Sequence, residues 1–311
     1  MATLDELLES TSRTFALAIP LLPEPERLDV TLGYLVFRIA DTLEDAENLG
    51  RDDRIAGLDG FIELLGAPSA DAAERFAARW SATPPSTSAD YNLLLQHTPT
   101  VFEELAARRD ASQQVIRHHA KRSAEGMRQT LARADDRGRL TCDSIGELRE
   151  YCYFVAGIVG EMLTELFALA LRDEPRVESL RREGRWFGEG LQLVNILKDA
   201  DADARDGRRY LPPGVPLAEV FAIARDDLRR AAAYIEELAA AGADEGVLLF
   251  ARLPRELAVA SLAKIEADGH GAKLTRPEVR RILQAVGAPP AGPAGGDSAE
   301  NEPMVPEGRT A

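Results

Sequence analysis

Cysteine and histidine are scarce in this sequence. Among 311 residues there are two cysteines, Cys142 and Cys152, and four histidines. Neither cysteine belongs to a C-x-x-C pair, so the sequence lacks both the ligand pattern of a structural zinc site and the spacing of a disulfide framework. We therefore expect two reduced thiols in a cytoplasmic protein.

Basic residues are fewer than acidic ones, and long apolar runs are rare. There are 37 lysines and arginines against 52 aspartates and glutamates, which gives a formal net charge of −15. A surface this acidic repels nucleic acid and anionic lipid, and no basic stripe compensates for it, so we expect no nucleic-acid binding. The N-terminal MATLDELLES is acidic and lacks an apolar run, so we expect no signal peptide. No stretch approaches about 18 uninterrupted apolar residues, so we expect no transmembrane helix.

Segments typical of strands are rare, and residues that favour helices dominate. Apolar residues recur at spacings of three and four nearly throughout, and Pro and Gly cluster at only a few breaks. We predict one all-α domain over residues 1–286 and a disordered tail over 287–311, which is rich in Pro, Gly and Ala. The predicted helices cover about residues 3–18, 25–48, 52–65, 70–80, 88–108, 111–133, 144–171, 175–203, 217–240, 244–267 and 275–286.

A first acidic stripe lies in the predicted helix around RIADTLEDAE (38–47). Asp41 and Asp45, four residues apart, fall on one helical face together with Tyr34 and Arg38, and the neighbouring residues are mostly apolar. Like charges one turn apart repel each other, so a helix keeps them for a reason. Taken alone, they could be the exposed acidic end of an amphipathic helix.

A second stripe with the same spacing makes that explanation weaker. Gln192, Asn195, Asp199 and Asp203 step by three, four and four within residues 190–212, on a helix whose other faces are apolar. Two helices therefore each present a pair of carboxylates one turn apart, beside apolar flanks. This repeated pattern indicates a shared site between the two helices.

Carboxylates without histidine or cysteine suit a hard cation such as Mg²⁺, which binds through one or two carboxylates, waters and substrate phosphate oxygens. The repulsion within each pair would then be tolerated for the ions that it recruits. Nearby basic residues could bind the diphosphate charge that the metal leaves uncompensated. These basic residues are Arg13, Arg38, Lys198, Arg205, Arg208 and Arg209. With its apolar flanks, the pattern indicates a diphosphate attached to a long hydrocarbon, whose departure leaves a carbocation that must be shielded from water.

Several blocks of the sequence resemble the squalene/phytoene synthase family, the head-to-head prenyl transferases. The blocks occur in the order of the family, and the resemblance covers about residues 8 to 285. They are SRTFALAIPLLP (12–23), similar to the N-terminal flap and phosphate-binding segment; DTLED (41–45), similar to the first aspartate-rich motif; YCYFVAGIVGEMLTELF (151–167), similar to the central helix; NILKDADAD (195–203), similar to the second motif; and DGRRYLP (206–212), which follows that motif.

The resemblance implies an all-α, single-domain isoprenoid synthase fold around a central cavity and a Mg²⁺-dependent prenyl transferase. It implies metal ligands at Asp41, Asp45, Asp199 and Asp203. These four aspartates form the expected catalytic set together with Tyr151, which would lie near the cationic centre. The residues expected to contact the prenyl diphosphate or to line the metal side of its cavity are Ser12, Arg13, Phe15, Tyr34, Arg38, Gln192, Asn195, Lys198 and Arg208.

Two positions depart from the pattern of the family. Lys198 stands where an arginine usually precedes the first aspartate of the second motif, so the charge is kept but bidentate geometry is lost. Ala202 replaces the usual acid before the last aspartate. Neither change removes one of the four aspartates.

The family makes several products, and the blocks do not all favour the same one. DTLED, SRTFALAI and VAGIVGEMLTELF look more like squalene synthases, whereas DARDGRRYLP looks more like bacterial phytoene synthases. We expect two farnesyl diphosphates to be condensed through presqualene diphosphate to squalene, with NADPH as the hydride donor. The alternative is phytoene or dehydrosqualene formation without reduction.

Two other classes of protein share features of this sequence. A terpene cyclase uses the same metal chemistry but should lack the second stripe with its trailing GRRYLP, and non-catalytic relatives of the family tend to lose the aspartates. Products of the expected reaction enter the bilayer, so we also expect transient contact with a membrane. The sequence determines neither the length of the prenyl chain in the substrate nor the oligomeric state of the protein.

Overall fold

The computed structural model describes residues 2–12, 14–135, 139–171 and 174–288, and this part of the chain is almost entirely helical. The predicted all-α fold is confirmed. The helices are α1 (Leu4–Thr11), α2 (Thr14–Ala18), α3 (Glu26–Glu44), α4 (Arg51–Gly66), α5 (Ala70–Ala82), α6 (Ala89–Gln96), α7 (Thr98–Ala106), α8 (Asp110–Arg133), α9 (Ile145–Cys152), α10 (Ile158–Ala168), α11 (Glu174–Arg205), α12 (Leu217–Ala240), α13 (Glu245–Asp268) and α14 (Arg276–Ala285). A 3₁₀ turn covers Ile19–Leu21.

The helix predicted over residues 3–18 is in fact two helices, with a break at Ser12. The backbone of Ser12 is extended (φ −147°, ψ 138°) and ends α1. Its Oγ accepts a hydrogen bond from the backbone N–H of Phe15 at 3.0 Å, as a helix-capping serine does at the start of α2. The break turns this serine away from a regular helical face, which periodicity alone did not predict.

The helix predicted over residues 88–108 is also divided. The α6 helix ends at Gln96, and α7 begins at Thr98 with Pro99 in its first turn. A proline is tolerated there because the N–H that it lacks has no partner within the first turn of a helix. The interruption therefore follows from Pro99, which lies inside a segment whose apolar periodicity predicted one continuous helix.

A short pair of parallel strands ties two distant loops together. In it, β1 (Leu140–Thr141) pairs with β2 (Arg208–Arg209), so that Leu140 lies beside Arg208. No strand was predicted here, because two residues carry no readable alternation. This pairing holds the segment that follows α11 against the segment that precedes α9.

Two long helices, α3 and α11, form opposite sides of the interior. The α3 helix packs on α4, α8 and α10, and α11 packs on α10, α12 and α13. The α9 and α10 helices are joined by a π-helical turn over Tyr153–Gly157, a feature often found at functional sites. These helices enclose a cavity between them.

Small residues bring α10 and α11 into backbone contact. A Cβ atom built on Gly160 would lie 2.1 Å from the carbonyl oxygen of Gly184, and one on Gly188 would lie 1.8 Å from the carbonyl oxygen of Ala156. Neither position has room for a side chain. The glycines therefore set the close approach of two helices that line the cavity.

The continuous helical stretch Ile145–Ala168 is, by length and composition, apolar enough to cross a membrane, although no transmembrane helix was expected. Within this stretch, the 18-residue window that meets the criteria is 56% buried inside the protein. The core helix of a folded domain meets the same criteria, so this is weak evidence for a membrane span. The expectation that no helix crosses a membrane stays a prediction.

The predicted C-terminal tail lies outside the described residues, except for Gly287 and Ala288. Ala288 is buried, and its backbone N–H donates to the Leu283 carbonyl oxygen at 3.0 Å. The ordered domain therefore extends two residues beyond the predicted boundary at 286. The disorder predicted for the remaining residues stays a prediction.

Candidate active site

A cavity of about 430 Å³ lies between α3, α9, α10 and α11, with further walls from α1, α2, α6 and α13. One end is polar and the other apolar. The apolar end is lined by Phe15, Ile19, Val30, Phe37, Val159, Met162, Leu163, Phe187 and Phe250. A cavity of this size and character suits a ligand with a charged head and a hydrocarbon tail.

Most of the site residues expected from the sequence line this one cavity. They are Ser12, Phe15, Tyr34, Arg38, Asp41, Asp45, Tyr151, Gln192, Asn195, Asp199, Asp203 and Arg208. Residues nearly 200 positions apart in sequence thus meet at one place, but the roles expected of them stay predictions. Arg13 lies outside the described residues.

Three of the basic residues considered for diphosphate binding do not line the cavity. Lys198 is buried behind the wall, with 1% of its side chain exposed. Arg205 and Arg209 are exposed to solvent, and Arg205 bonds to the Asp201 carbonyl oxygen of its own helix. The position of Lys198 on α11 directs its side chain into the protein interior and away from the cavity, and the contact with substrate expected of it stays a prediction.

The first acid pair sits at the C-terminal end of α3. Asp45 is the residue that ends the helix, and its backbone N–H still donates to the Asp41 carbonyl oxygen at 2.9 Å, which keeps both carboxylates on the same face. Arg38 Nη1 lies 3.5 Å from Asp41 Oδ2. The local helical geometry therefore places a guanidinium one turn from the acid pair.

Two aromatic rings lie close to the Arg38 guanidinium. Its Cζ lies 5.5 Å from the ring centroid of Tyr34 and 5.6 Å from that of Tyr91. The Tyr34 hydroxyl accepts from Arg38 Nε at 3.3 Å and donates to the Thr11 carbonyl oxygen at 2.6 Å. This arrangement presents the cation to the cavity at a defined place.

The second acid pair lies on the last turns of α11. Lys198 Nζ is 3.2 Å from Asp199 Oδ2 and 3.4 Å from Asn195 Oδ1, so the buried lysine supports the wall from behind. Burial raises the pKa of the Asp199 carboxyl above its ordinary value and raises that of Asp203 to about 6. The ionised pair is thus disfavoured by its surroundings, and a bound cation would stabilise it.

Arg208 lies beside Asp203, held there by the β1–β2 pairing. Its Nη2 donates to Asp206 Oδ2 at 3.0 Å, while its Nε lies 3.9 Å from Asp203 Oδ1, beyond hydrogen-bond distance. The Nε atom is buried and, within the part of the chain that the structure describes, has no hydrogen-bond partner. A buried N–H without a partner is costly, and an anionic oxygen in the cavity would satisfy it.

The donor set of the cavity fits Mg²⁺. Two arginines, Arg38 and Arg208, line it together with eight acids, and the imbalance would repel a diphosphate unless cations were bound. The acids are Glu9, Asp41, Glu44, Asp45, Glu47, Asp90, Asp199 and Asp203. Among the described residues, no three His, Cys, Asp or Glu side chains gather into a metal cluster. Mg²⁺ usually takes one or two carboxylates and completes its shell with water and phosphate oxygens, so each acid pair has the donor type and number that this ion takes.

Other residues of the cavity were not expected from the sequence. Tyr210, inside the DGRRYLP block, lines it and packs on Tyr151. Tyr91 on α6 also lines it, and no motif or spacing pointed to this residue. Arg54 is buried nearby and donates from its Nε to the Glu44 carbonyl oxygen at 2.7 Å, which anchors the end of α3. Only Tyr210 carried a signal, namely its place directly after the second acid pair.

The sequence is similar to a known family of enzymes. A family model described as squalene/phytoene synthase matches residues 8–215. The squalene synthase of Schizosaccharomyces pombe is 28% identical over 207 residues, which cover 67% of this chain and 43% of that protein. The squalene synthase of Yarrowia lipolytica is 32% identical over 213 residues (67% and 44%), and that of Homo sapiens is 30% identical over 215 residues (69% and 47%). In each case the match spans less than half the length of the relative.

Solved structures share the helical architecture. The complex of TcSQS with a ligand, E5700, superposes with a TM-score of 0.75 at 25% identity and covers 92% of this chain and 85% of that one. Squalene synthase HpnC from Alicyclobacillus acidocaldarius gives a TM-score of 0.53 at 23% identity, with 86% and 92% covered. The second likeness is one of fold alone.

Proposed function

Because the chain belongs to the squalene/phytoene synthase family, we propose that it condenses two molecules of farnesyl diphosphate head to head, through presqualene diphosphate, to squalene. The observation that carries the proposal is the meeting of Asp41 and Asp45 with Asp199 and Asp203 at the polar end of a cavity whose other end is apolar. Two acid pairs suit two diphosphates better than one.

The two acid pairs would hold Mg²⁺, which neutralises diphosphate oxygens and so helps the diphosphate to leave. Arg38 and Arg208 face the same end of the cavity and would bind diphosphate oxygens that the metal does not reach. In the first half-reaction, the C–O bond of one farnesyl diphosphate breaks and the double bond of the second supplies the electrons for the new C–C bond. The proton lost as the cyclopropane ring closes passes to a base, and the departing diphosphate would serve as that base.

The second half-reaction breaks the remaining C–O bond and needs a hydride, which NADPH would supply to the rearranged carbocation. The apolar end, with Phe15, Phe187 and Phe250 in its wall, would keep water away from the cation until the hydride arrives. Tyr151 lines the cavity and stacks on Tyr210, and its neutral hydroxyl would face the cationic centre. We assign no residues to NADPH.

The test is incubation of the purified chain with farnesyl or geranylgeranyl diphosphate, with Mg²⁺ or excess chelator, and with or without NADPH, followed by product identification. We expect squalene from farnesyl diphosphate with Mg²⁺ and NADPH, and presqualene diphosphate or dehydrosqualene without NADPH. Asp41→Asn and Asp199→Asn should each lower turnover by orders of magnitude. Asp201→Asn is the matched control, because Asp201 lies on the same helix but is exposed.

Three results would contradict this proposal in different ways. Phytoene from geranylgeranyl diphosphate, with farnesyl diphosphate inert, would favour the alternative reaction. Cyclisation of a single prenyl diphosphate would show that condensation itself is wrong. Full turnover in excess chelator would show that Mg²⁺ has no role.

A cytoplasmic location with transient membrane contact stays a prediction. Cell fractionation would check it, by comparing the protein in the soluble fraction with that on membranes before and after the membranes are washed.

A further inference from the structure

The lining of the cavity changes from apolar to acidic along the helices that surround it. On α3 and α11 the apolar side chains precede the acid pairs: Phe37 lies four residues before Asp41, and Phe187 twelve before Asp199. Since α-helices rise about 1.5 Å per residue, the apolar end at Phe187 lies roughly 18 Å along α11 from Asp199. A prenyl diphosphate held at the acid pairs would therefore extend its tail toward the start of these helices.

Met162 on α10 forms part of the wall at this apolar end. Its side chain is 1% exposed and lines the cavity. It is eleven residues beyond Tyr151 on the same continuous helical stretch, so roughly 16 Å separates its position from that of the tyrosine. Met162 thus lies far from the polar end, where the last carbons of a prenyl tail would arrive.

Met162 occupies a notch that Gly33 leaves in α3. A Cβ atom on Gly33 would lie 2.8 Å from Met162 Cε, 3.0 Å from Sδ and 3.8 Å from Ile116 Cγ1. Val30 and Phe37, three residues before and four after Gly33, line the cavity on the same face of α3. The methionine therefore fills the space that Gly33 leaves in this apolar wall, and it lies between the cavity and Ile116 of α8.

We propose that Met162, seated in the Gly33 notch, sets the depth of the apolar end and thereby restricts the substrate to a farnesyl chain rather than the longer geranylgeranyl chain. This inference rests on the proposed function. Removing the methionine side chain would open the cavity toward Gly33 and Ile116, and an apolar space of this kind accepts apolar ligands. Filling the notch instead would push the flexible thioether into the cavity.

Three variants test the inference through binding. Met162→Ala lengthens the cavity, Gly33→Ala shortens it, and Met162→Leu is the matched control, since it keeps the side-chain volume. Affinities for farnesyl and geranylgeranyl thiodiphosphates, which ionise very slowly, would be measured by calorimetry with Mg²⁺ on the full chain. Circular dichroism and melting temperature would show that each variant is folded.

We expect the wild type and Met162→Leu to bind the farnesyl analogue more tightly. In Met162→Ala the ratio of geranylgeranyl to farnesyl affinity should rise at least about tenfold, the scale on which apolar pockets discriminate small groups. In Gly33→Ala both affinities should fall, and that of the longer analogue should fall more. Turnover with the two natural diphosphates should shift in the same direction.

The inference and the proposed function fail in different ways. A wild type that binds the farnesyl analogue while Met162→Ala keeps the same ratio overturns the inference and leaves the function intact. A wild type that prefers the geranylgeranyl analogue overturns the inference and also counts against farnesyl diphosphate as the substrate. A wild type that binds neither analogue overturns the proposed function. If Met162→Ala does not fold, Gly33→Ala decides, and equal loss of both affinities there counts against the inference.

Discussion

The Tyr151 hydroxyl donates to the Tyr210 hydroxyl at 3.0 Å, and the two rings stack with centroids 4.4 Å apart. Both side chains are buried, and burial raises the pKa of each phenol well above its ordinary value. An acid whose pKa is raised on folding favours the folded state below its unfolded pKa and loses that preference only as pH rises beyond it. Both tyrosines therefore stay neutral at any pH near neutrality, as hydrogen-bonding groups rather than phenolates.

The first prediction concerns this pair. Tyr210→Phe removes the acceptor of Tyr151 and keeps the ring stack, so turnover should fall about three- to tenfold, the equivalent of roughly 1 kcal/mol. The pH–rate profile between pH 6 and 9 should keep its shape, because neither phenol titrates there. Steady-state kinetics on the natural diphosphates would measure both.

Tyr234→Phe serves as the control for that experiment. The Tyr234 hydroxyl is also buried and lies 2.8 Å from Thr164 Oγ1, but it does not line the cavity. The Tyr234→Phe substitution should change the melting temperature and leave turnover nearly unaltered. Equal turnover in Tyr210→Phe and the wild type would show that the pair has only a packing role.

The second prediction concerns Tyr91, which no motif indicated. Tyr91→Leu removes one of the two rings beside Arg38, so affinity for inorganic pyrophosphate with Mg²⁺ should fall about three- to tenfold, on the scale of one cation–π contact. Tyr91→Phe keeps a ring in place and should restore most of the affinity. Calorimetric titration would compare the three proteins. If both variants bind equally, the ring does not position the guanidinium.

The third prediction follows from the burial of Lys198. Lys198→Met leaves Asp199 without its buried cation, so the free energy of unfolding should fall by about 3 kcal/mol, as when one partner of a buried pair is removed. Denaturant unfolding would measure it. Lys264→Met is the control, because Lys264 pairs with Asp268 near the surface and should contribute less than about 1 kcal/mol. Equal losses in the two variants would contradict the supporting role of Lys198.

The fourth prediction concerns the two thiols. Burial raises the pKa of Cys142 to about 12 and that of Cys152 well above its ordinary value, so almost no thiolate is present at pH 8. Ellman's reagent should label the folded protein slowly and react with both thiols at once after unfolding in guanidinium chloride. Rapid labelling of the folded chain would show that one thiol is accessible. Since the folded state favours the protonated thiols, their contribution to stability should decline only above about pH 8.5.

Short-range features of this protein were readable from the sequence, because helical periodicity is a local property. The spacing of Asp41 and Asp45, and of Asp199 and Asp203, placed each pair on one face before any tertiary contact was considered. The abundance of helix-forming residues determined the all-α class, and most helix boundaries were predicted within a few residues. The break at Ser12 was not predicted because a serine that caps a helix and one inside it leave the same apolar pattern. The break before Pro99 was not predicted because a proline in the first turn of a helix leaves the apolar periodicity unchanged.

Relations between distant segments were decided by the tertiary structure. Asp199 and Lys198 are adjacent polar residues on α11, but only Asp199 lines the cavity, and Lys198 is buried. Which of them lines the cavity depends on how α11 is oriented against its neighbours. The pairing of β1 with β2 places Tyr210 against Tyr151. Met162 of α10 packs against Gly33 of α3, where any larger residue would collide with it. Periodicity states which side chains of one helix share a face, but only the packing of helices decides what that face meets.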